Sequence, residues 1–338
     1  MEQNRLLFID IAKGIGITLV VCSHTEAHDL MMWSVGFFVP IFYFCSGYMA
    51  TYSSANNSIS QMMKKRTRKL LMPYLLFNII LLLYFRRWSI IGLYGILYSR
   101  YCLFPLGATN NYDLFIWGNY PMWFITSLLV SYFLFYILLY NKNKSLIIFI
   151  YLCLTCILSQ LPILLPWSID TAFLSSLIMY AGFLAKTHNI ASWGKYEILI
   201  CGLIYSLLLY VAGDINFSIR QYGTSLIIYY ILAISGCICV VWSAKRIERI
   251  WIGQLLAIIG KHSLTIFCIE ILFIREASLA YCKLTNIDDV GILGGICGVI
   301  IALLGGIFLS ILLHKSQFLR EVLFGEKNIV SNKTAEKR

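Results

Sequence analysis

The stretch FIDIAKGIGITLVVCSH occupies residues 8–24 and is long enough to cross a lipid bilayer. It is apolar over most of its length, yet it carries three titratable side chains, Asp10, Lys13 and His24. Charged groups cost free energy in the hydrocarbon core, and they mark functional positions more often than packing positions. The stretch therefore predicts a membrane helix that carries part of a functional site.

The composition of the whole chain agrees with a membrane location. Of its 338 residues, 59% are hydrophobic and only 13% are charged, whereas soluble domains have about a quarter charged residues. So much apolar surface cannot be hidden from water in a soluble fold, and we expect membrane lipid to surround most of it. The composition predicts an all-α, polytopic helical membrane protein.

Apolar runs of about 20 residues mark the expected transmembrane helices. We predict ten, at residues 6–24, 35–53, 70–86, 121–140, 145–162, 168–185, 197–213, 223–243, 252–273 and 290–313. The segment 88–120 is apolar in part but short and interrupted by Gly, Arg and Tyr, which favours an interfacial or re-entrant piece. We expect one transmembrane domain over residues 1–314 and a short basic cytoplasmic tail over 315–338.

The positions of the basic residues predict the orientation of these helices. With a cytoplasmic N-terminus, 19 of the 27 Lys and Arg residues fall in cytoplasmic segments and 6 fall on the opposite side. Lys13 and Lys261 lie within spans. This asymmetry follows the positive-inside rule and places both termini in the cytoplasm. It also accounts for the net charge of +11, so nucleic acid is not expected as a partner.

The titratable residues of the first span share one face of the predicted helix. Lys13 and His24 are eleven residues apart, which separates them by about 20° around the axis and about 16 Å along it. Asp10 lies within about 60° of both, and we predict all three as catalytic residues. Gly14 and Gly16 allow neighbouring helices to approach closely. The alternative is a buried Asp10–Lys13 pair one turn apart, with His24 as an interfacial residue.

Six motifs, in order along the chain, resemble a known family. FIDIAKGIGITLVVCSH, GFFVPIFYFCSGYMA and KRTRKLLMPY are similar to the membrane-bound acyltransferase 3 family, whose first helix has a basic residue, ten positions and then histidine. MWFITSLL at 122–129, PWSIDTAFLSSLIMYAGFLAK at 166–186 and IGKHSLTIF at 259–267 resemble its fucose 4-O-acetylase-like branch. The resemblance covers most of the chain.

The resemblance implies an O-acyltransferase of the bacterial inner membrane. Members move an acyl group, usually acetyl, from cytoplasmic acetyl-CoA to a sugar hydroxyl on a saccharide or lipid-linked glycan of the cell envelope. By position, His24 is the catalytic histidine, and Lys13 stands where most members have arginine. Arg66 and Lys69 match the basic pair that precedes LLMPY, and Glu270 stands where relatives often have histidine.

The chemistry of these residues fits acyl transfer independently. A neutral imidazole such as that of His24 can take the proton of a sugar hydroxyl as it attacks a thioester. A cation can stabilise the oxyanion that forms, although Lys13 lies too deep for this unless the donor threads into the bundle. The KKRTRK cluster at 64–69, with Arg66 and Lys69, suits CoA phosphates. Anchoring by the positive-inside rule is the alternative for this cluster.

The loop HTEAHD at 24–29 offers further polar groups beside His24. Glu26, His28 or Asp29 can orient His24 or bond sugar hydroxyls, and a solvated loop is the alternative. The spacing matches no metal site, so we expect no metal.

Three other positions are candidates for contact with substrates. Trp123 begins the fourth span, where it can stack on a sugar ring or belong to an aromatic belt. Asp170 begins the sixth span and can cap that helix or face the acceptor. The polar break GKHS at 260–263 and Glu270 suggest a groove along the acyl-CoA path. His262 and Glu270 lie about 80° apart, so we do not expect them to pair.

Three classes of function remain open on the residues alone. The first is an acyltransferase, with His24 as base in a ternary complex or with the acyl group passing first to an enzyme residue. The second is a transporter or flippase of a lipid-linked glycan, although no internal repeat of the kind common in transporters is evident. The third is an unrelated membrane acyltransferase acting on lipid or protein, which the histidine of the first span disfavours.

Overall fold

The structure is a computed structural model that describes residues 6–50, 59–100, 102–105 and 121–324. These residues are mostly helical, with one small antiparallel sheet that pairs Ile215 with Tyr222 and Asn216 with Gln221. The α-helices are α1 Leu7–Ser23, α2 Pro40–Tyr48, α3 Ile59–Tyr84, α4 Ile90–Tyr98, α5 Trp123–Tyr140, α6 Lys144–Ser159, α7 Ile169–Thr187, α8 Lys195–Ala212, α9 Leu226–Ile247, α10 Trp251–Lys261, α11 Ser263–Thr285, α12 Gly291–Lys315 and α13 Gln317–Phe324. Short 3-10 helices cover His28–Ser34, Pro166–Ser168, Ile190–Ser192 and Phe217–Ile219. The predicted all-α class is confirmed.

Several of these helices suit a membrane by length and composition. Within the described ranges, six helical segments qualify, and the bent pair α10 and α11 makes a seventh if it counts as one span. The six are Ile59–Tyr84, Trp123–Tyr140, Pro166–Thr187, Lys195–Ala212, Leu226–Ile247 and Gly291–Lys315. Many exposed residues on these helices are apolar, which is the surface that lipid covers. The chain is therefore a multi-pass membrane protein, while the count of ten spans stays a prediction.

The predicted spans that fall outside this set are shorter or broken. In the described part of the run 35–53, residues 35–50, the helix is α2, which has nine residues and follows turn structure, and α1 and α6 have 17 and 16 residues. The run 252–273 is broken at His262, where α10 and α11 meet at 82°. Hydropathy detects the apolar run but not the bend, because both arms are apolar.

The segments that we do not predict to span the membrane form short helices where the structure describes them. Within 88–120 the described helix is α4, and residues 101 and 106–120 lie outside the described residues. In the predicted tail, α13 packs against α3, where Arg68 Nη2 donates to the carbonyl of Glu321 at 3.1 Å. Residues 325–338 lie outside the described residues.

Helix α1 lies at the centre of the fold and contacts α2, α9, α10, α11 and α12. Its closest neighbour is α10, and glycines on both helices make this approach possible. A Cβ added at Gly14 would overlap the carbonyl of Leu256, and one at Gly260 would overlap the carbonyl of Asp10. The structure thus confirms the predicted role of Gly14, and this contact fixes the height of α1 relative to the bend at His262.

Candidate active site

His24 ends helix α1 and is held by a carboxyl group from another helix. Its backbone N–H donates to the carbonyl of Val21 at 3.2 Å, and its side chain is 12% exposed. Nδ1 lies 2.8 Å from Oε1 of Glu270, which is completely buried on α11. When Glu270 is ionised its carboxylate can only accept a hydrogen bond, and Nδ1 is then the donor in this contact. The tautomer that results leaves Nε2 able to take a proton from another molecule.

The turn that follows His24 is fixed by local hydrogen bonds and by α12. Thr25 Oγ1 donates to the carbonyl of Cys22 at 2.9 Å and accepts from the backbone N–H of Ala27 at 3.2 Å. On the other side, a Cβ at Gly295 would come 2.6 Å from the nitrogen of Ala27, so only glycine lets α12 pack this closely. The position of His24 therefore depends on three helices, α1, α11 and α12.

His24 lines a cavity of about 230 Å³, which we call the histidine cavity. Its walls are mainly apolar and aromatic, and none of the described residues that line it is Lys, Arg, Asp or Glu. Its lining includes Val20, Ser23, His24, His28, Met31, Val35, Phe38, Phe42, Trp123, Phe124, Asn216, Phe217, Ser218 and Phe267. Such a site suits an uncharged ligand that packs on aromatic faces and bonds through a few polar atoms.

A second and larger cavity, of about 820 Å³, has the opposite character. We call it the basic cavity, because five lysine and arginine residues line it and Asp10 is the only acid among its described lining residues. Its lining includes Asp10, Lys13, Ile17, Phe42, Arg66, Lys69, Phe124, Leu128, Tyr132, Lys261, His262, Ser263, Thr265, Phe267, Ser310, His314 and Lys315. Its charge suits an anion, and its apolar residues suit an uncharged extension of that anion.

Three aromatic side chains line both cavities. Phe42, Phe124 and Phe267 belong to α2, α5 and α11, respectively. The ring of Phe124 lies 5.5 Å from that of Phe42 and 5.2 Å from that of Phe267, centroid to centroid, with edge-on geometry in both pairs. We call this group the phenylalanine partition. The two cavities therefore adjoin at these three side chains.

Most residues singled out from the sequence lie on one of the two cavities. Lys13, Arg66 and Lys69 line the basic cavity together with Asp10, although they come from two helices. The guanidinium of Arg66 lies over the ring of Tyr132, 4.5 Å from its centroid. His24 lines the histidine cavity, and so does Trp123, which is buried.

Two of the predicted substrate contacts do not line either cavity. The side chain of Glu26 is exposed, and it is absent from the described lining of both. Asp170 is buried and accepts hydrogen bonds from Arg100 Nη2 and from the backbone N–H groups of Leu165 and Thr171, each of the latter at 3.0 Å. Arg220 Nη1 lies 3.4 Å from its second oxygen. Asp170 thus joins three buried segments, while its contact with an acceptor stays a prediction.

Replacing Asp170 with asparagine should destabilise the protein, because it would remove the carboxylate that faces two buried guanidinium groups, those of Arg100 and Arg220. Removing one partner of a buried ion pair typically costs about 3–5 kcal/mol. Thermal unfolding in detergent should therefore show a clearly lower Tm. Asp214→Asn, an exposed carboxylate of a nearby loop, should leave the Tm unchanged. An unchanged Tm for Asp170→Asn, together with a raised KM for the acceptor, would instead support the prediction that Asp170 contacts the acceptor.

The contact between His24 and Glu270 was not predicted. The sequence suggested that Glu26, His28 or Asp29 orients His24, but His28 instead bonds the carbonyl of Thr25 through Nδ1 at 3.1 Å and lies 3.3 Å from Asp29. His262 does not pair with Glu270, as expected, and its Nδ1 lies 2.7 Å from Ser310 Oγ. The one signal for Glu270 was an acid inside an apolar run.

The described residues hold no group of three or more His, Cys, Asp or Glu side chains that could bind a metal ion.

Comparison with known proteins identifies the family of this chain. No curated protein and no solved structure matches it significantly. The family model for the acyltransferase domain of the acyltransferase 3 family matches residues 6–315, which is nearly the whole chain. The match spans every helix that contributes to the two cavities. The chain belongs to the acyltransferase 3 family and is a multi-pass membrane acyltransferase.

Proposed function

We propose that this protein is an O-acetyltransferase of the bacterial inner membrane, with ten spans and both termini in the cytoplasm. It moves an acetyl group from cytoplasmic acetyl-CoA to a hydroxyl of a saccharide or lipid-linked glycan destined for the cell envelope. The motifs at 122–129, 166–186 and 259–267 favour the fucose 4-O-acetylase-like branch of its family.

One observation carries this proposal. His24 is bonded to Glu270 through Nδ1 and lines a cavity that shares three phenylalanines with the basic cavity. A base fixed by a carboxylate is the arrangement that activates a hydroxyl for attack on an acyl carbonyl. The adjoining cavities supply separate places for a charged donor and an uncharged acceptor.

The basic cavity suits the donor. Acetyl-CoA is anionic at its nucleotide end and uncharged along the arm that carries the thioester. Arg66 and Lys69 are placed to bind its phosphates, and Lys13 adds a third cation on the facing helix. Ile17, Leu128 and the phenylalanine partition offer apolar surface to the arm. The donor would therefore extend from the cations toward His24.

The histidine cavity suits the acceptor. Trp123 and Phe217 provide aromatic surface for a sugar ring, and their ring centroids lie 6.4 Å apart. Asn216, Ser218 and His28 provide polar atoms for hydroxyl groups. Because no described Lys, Arg, Asp or Glu lines this cavity, we expect the part of the acceptor that enters it to be uncharged.

The reaction then follows from the geometry of His24. Nε2 takes the proton of the acceptor hydroxyl as its oxygen attacks the thioester carbonyl, and Glu270 stabilises the imidazolium that forms. The tetrahedral intermediate collapses by breaking the carbon–sulfur bond. The CoA thiolate leaves and takes the proton back from His24. The acetyl ester remains on the sugar, and the imidazole is neutral again.

Lys13 and Asp10 remain predicted catalytic residues, and the structure favours the donor as their partner. Both line the basic cavity and neither lines the histidine cavity. About 16 Å of helix separates Lys13 from His24. Lys13 therefore cannot bind the phosphates of the donor and also stabilise an oxyanion beside Nε2 of His24. We therefore assign Lys13 to holding the donor rather than to stabilising the oxyanion.

The direct test measures release of CoA by the purified protein in lipid nanodiscs. Acetyl-CoA is supplied with or without a panel of free sugars and a polysaccharide extract, and the thiol is detected with a chromogenic reagent. We expect release that depends on an acceptor, and an acetyl ester on that acceptor by mass spectrometry. No release with any acceptor, combined with movement of a lipid-linked glycan across proteoliposomes, would support the transporter instead.

A further inference from the structure

The basic cavity has a second group of cations, on helices other than those of the residues assigned above. Lys261 is the last residue of α10, at the 82° bend, and Lys315 is the last residue of α12. Both line the cavity, and both side chains are exposed. Neither forms an ion pair with a carboxylate of the described residues. Two accessible cations therefore face the space that Arg66 and Lys69 face from α3.

A serine and two histidines connect the helix ends that bear these lysines. His262 Nδ1 lies 2.7 Å from Ser310 Oγ, and His314 Nδ1 lies 2.7 Å from the carbonyl oxygen of Ser310. Ser310 is almost completely buried, and the two imidazole rings lie 6.4 Å apart, edge to face. The first contact links the bend between α10 and α11 to α12, and the second lies within the last turns of α12. The two lysines thus project from a fixed platform.

The distribution of charge in the cavity indicates what these cations bind. Positive residues lie on α1, α3, α10 and α12, and Asp10 is the only described acid on the lining. The phenylalanine partition lines the same cavity. A ligand with one charge could be bound by α3 alone, whereas four cationic helices around one space suit a ligand with several phosphates.

We propose that Lys261 and Lys315, together with Arg66 and Lys69, bind phosphates at the nucleotide end of the acyl-CoA donor. This assignment rests on the proposed function. The phosphates of CoA are clamped between α3 and the α10–α12 platform. The clamp fixes the nucleotide at the cavity mouth, so that the uncharged arm points toward the phenylalanine partition and His24. Anionic phospholipid headgroups share the same chemistry, and the experiment separates the two sources.

The experiment compares CoA binding and turnover by wild type, Lys261→Met, Lys315→Met and the double variant in nanodiscs of zwitterionic lipid. Each single change should weaken binding of CoA and raise the KM for acetyl-CoA about tenfold, and the double change should approach a hundredfold. The kcat at saturation should not change. With S-acetylpantetheine, which lacks the phosphates, all four proteins should have the same KM. Lys195→Met, an exposed lysine outside both cavities, controls for net charge.

Each result that differs from these expectations has its own interpretation. If wild type binds no CoA, the proposed function fails and this inference falls with it. If wild type binds CoA and the variants bind it equally well, only the phosphate clamp is wrong. If the variants lose turnover equally with both donors, the lysines serve folding or chemistry instead. If the variants differ from wild type only in nanodiscs containing anionic phospholipid, Lys261 and Lys315 bind headgroups.

Discussion

Replacing His24 with alanine should reduce acetyl transfer by about a thousandfold or more, within the range that loss of a general base produces. The reason is geometric as well as chemical. His24 is the only described residue of the histidine cavity whose imidazole is fixed by a buried carboxyl group, with Nδ1 2.8 Å from Glu270 Oε1. No other described residue of that cavity has a side chain that can accept the hydroxyl proton and is also bonded to a buried carboxyl group. Transfer to an acceptor, measured by mass spectrometry, reports the loss.

Alanine at this position also leaves Glu270 buried without its partner, which can cost stability as well as activity. A second variant, His24→Gln, separates the two effects. Its amide can donate to Glu270, so we expect it to be as stable as wild type in thermal unfolding and as inactive as His24→Ala. CoA binding should survive in both, because the cations that line the basic cavity are untouched.

The matched control is His188→Ala, since His188 is an exposed histidine at the end of α7 and lines neither cavity. It should retain the activity of wild type. Substantial acetyl transfer by a folded His24→Gln protein would remove His24 from the mechanism.

The parts of the site on a single helix could be predicted from the sequence. Asp10, Lys13 and His24 were placed on one face by helical periodicity, and the structure finds Asp10 and Lys13 on the basic cavity and His24 on the adjoining one. Periodicity is sufficient here because the relative positions of residues within one helix depend only on its pitch.

Glu270 could not be paired with His24 by the same means. The two residues are 246 positions apart, and their contact depends on where α11 lies after the bend at His262. That position is set by packing, for example by Gly260 against the backbone of Asp10. The only sign of such a contact in the sequence is a glycine, and glycine occurs at other positions for many other reasons.

The phenylalanine partition cannot be predicted from the sequence, for a different reason. Phe42, Phe124 and Phe267 are ordinary members of apolar runs, in a chain with 21 phenylalanines. Nothing in composition separates a phenylalanine that divides two cavities from one that faces lipid. The ion pairs of Asp170 with Arg100 and Arg220 are likewise hidden from sequence reasoning. The sequence shows the three charged residues but not which of them contact one another.

Replacing Glu270 with glutamine should lower kcat by about a hundredfold to ten-thousandfold and leave the KM of both substrates unchanged, as loss of the carboxylate does in related histidine arrangements. Glutamine has nearly the same shape, so the substitution changes charge and hydrogen bonding alone. Its amide can donate to Nδ1, which would move the proton of His24 to Nε2. The nitrogen that faces the acceptor would then be unable to accept a proton.

A merely structural role for Glu270 would give a different result. Loss of packing would raise both KM values or lower the Tm, and Glu270→Asp would be no better than glutamine. For a positioning role we expect Glu270→Asp to recover part of kcat, because it keeps a carboxylate slightly farther from Nδ1. Glu276→Gln, an exposed glutamate on the same helix, should behave as wild type.

The decisive measurement combines both sites in one cycle. If Glu270 acts only by orienting and stabilising His24, adding Glu270→Gln to the His24→Ala protein should not reduce the residual activity further, since residues that act as a unit are not additive. A double variant slower than His24→Ala by the full factor of the Glu270→Gln change would show that Glu270 acts independently. The 2.8 Å contact between Glu270 and His24 would then be a packing contact, and another group would have to orient the base.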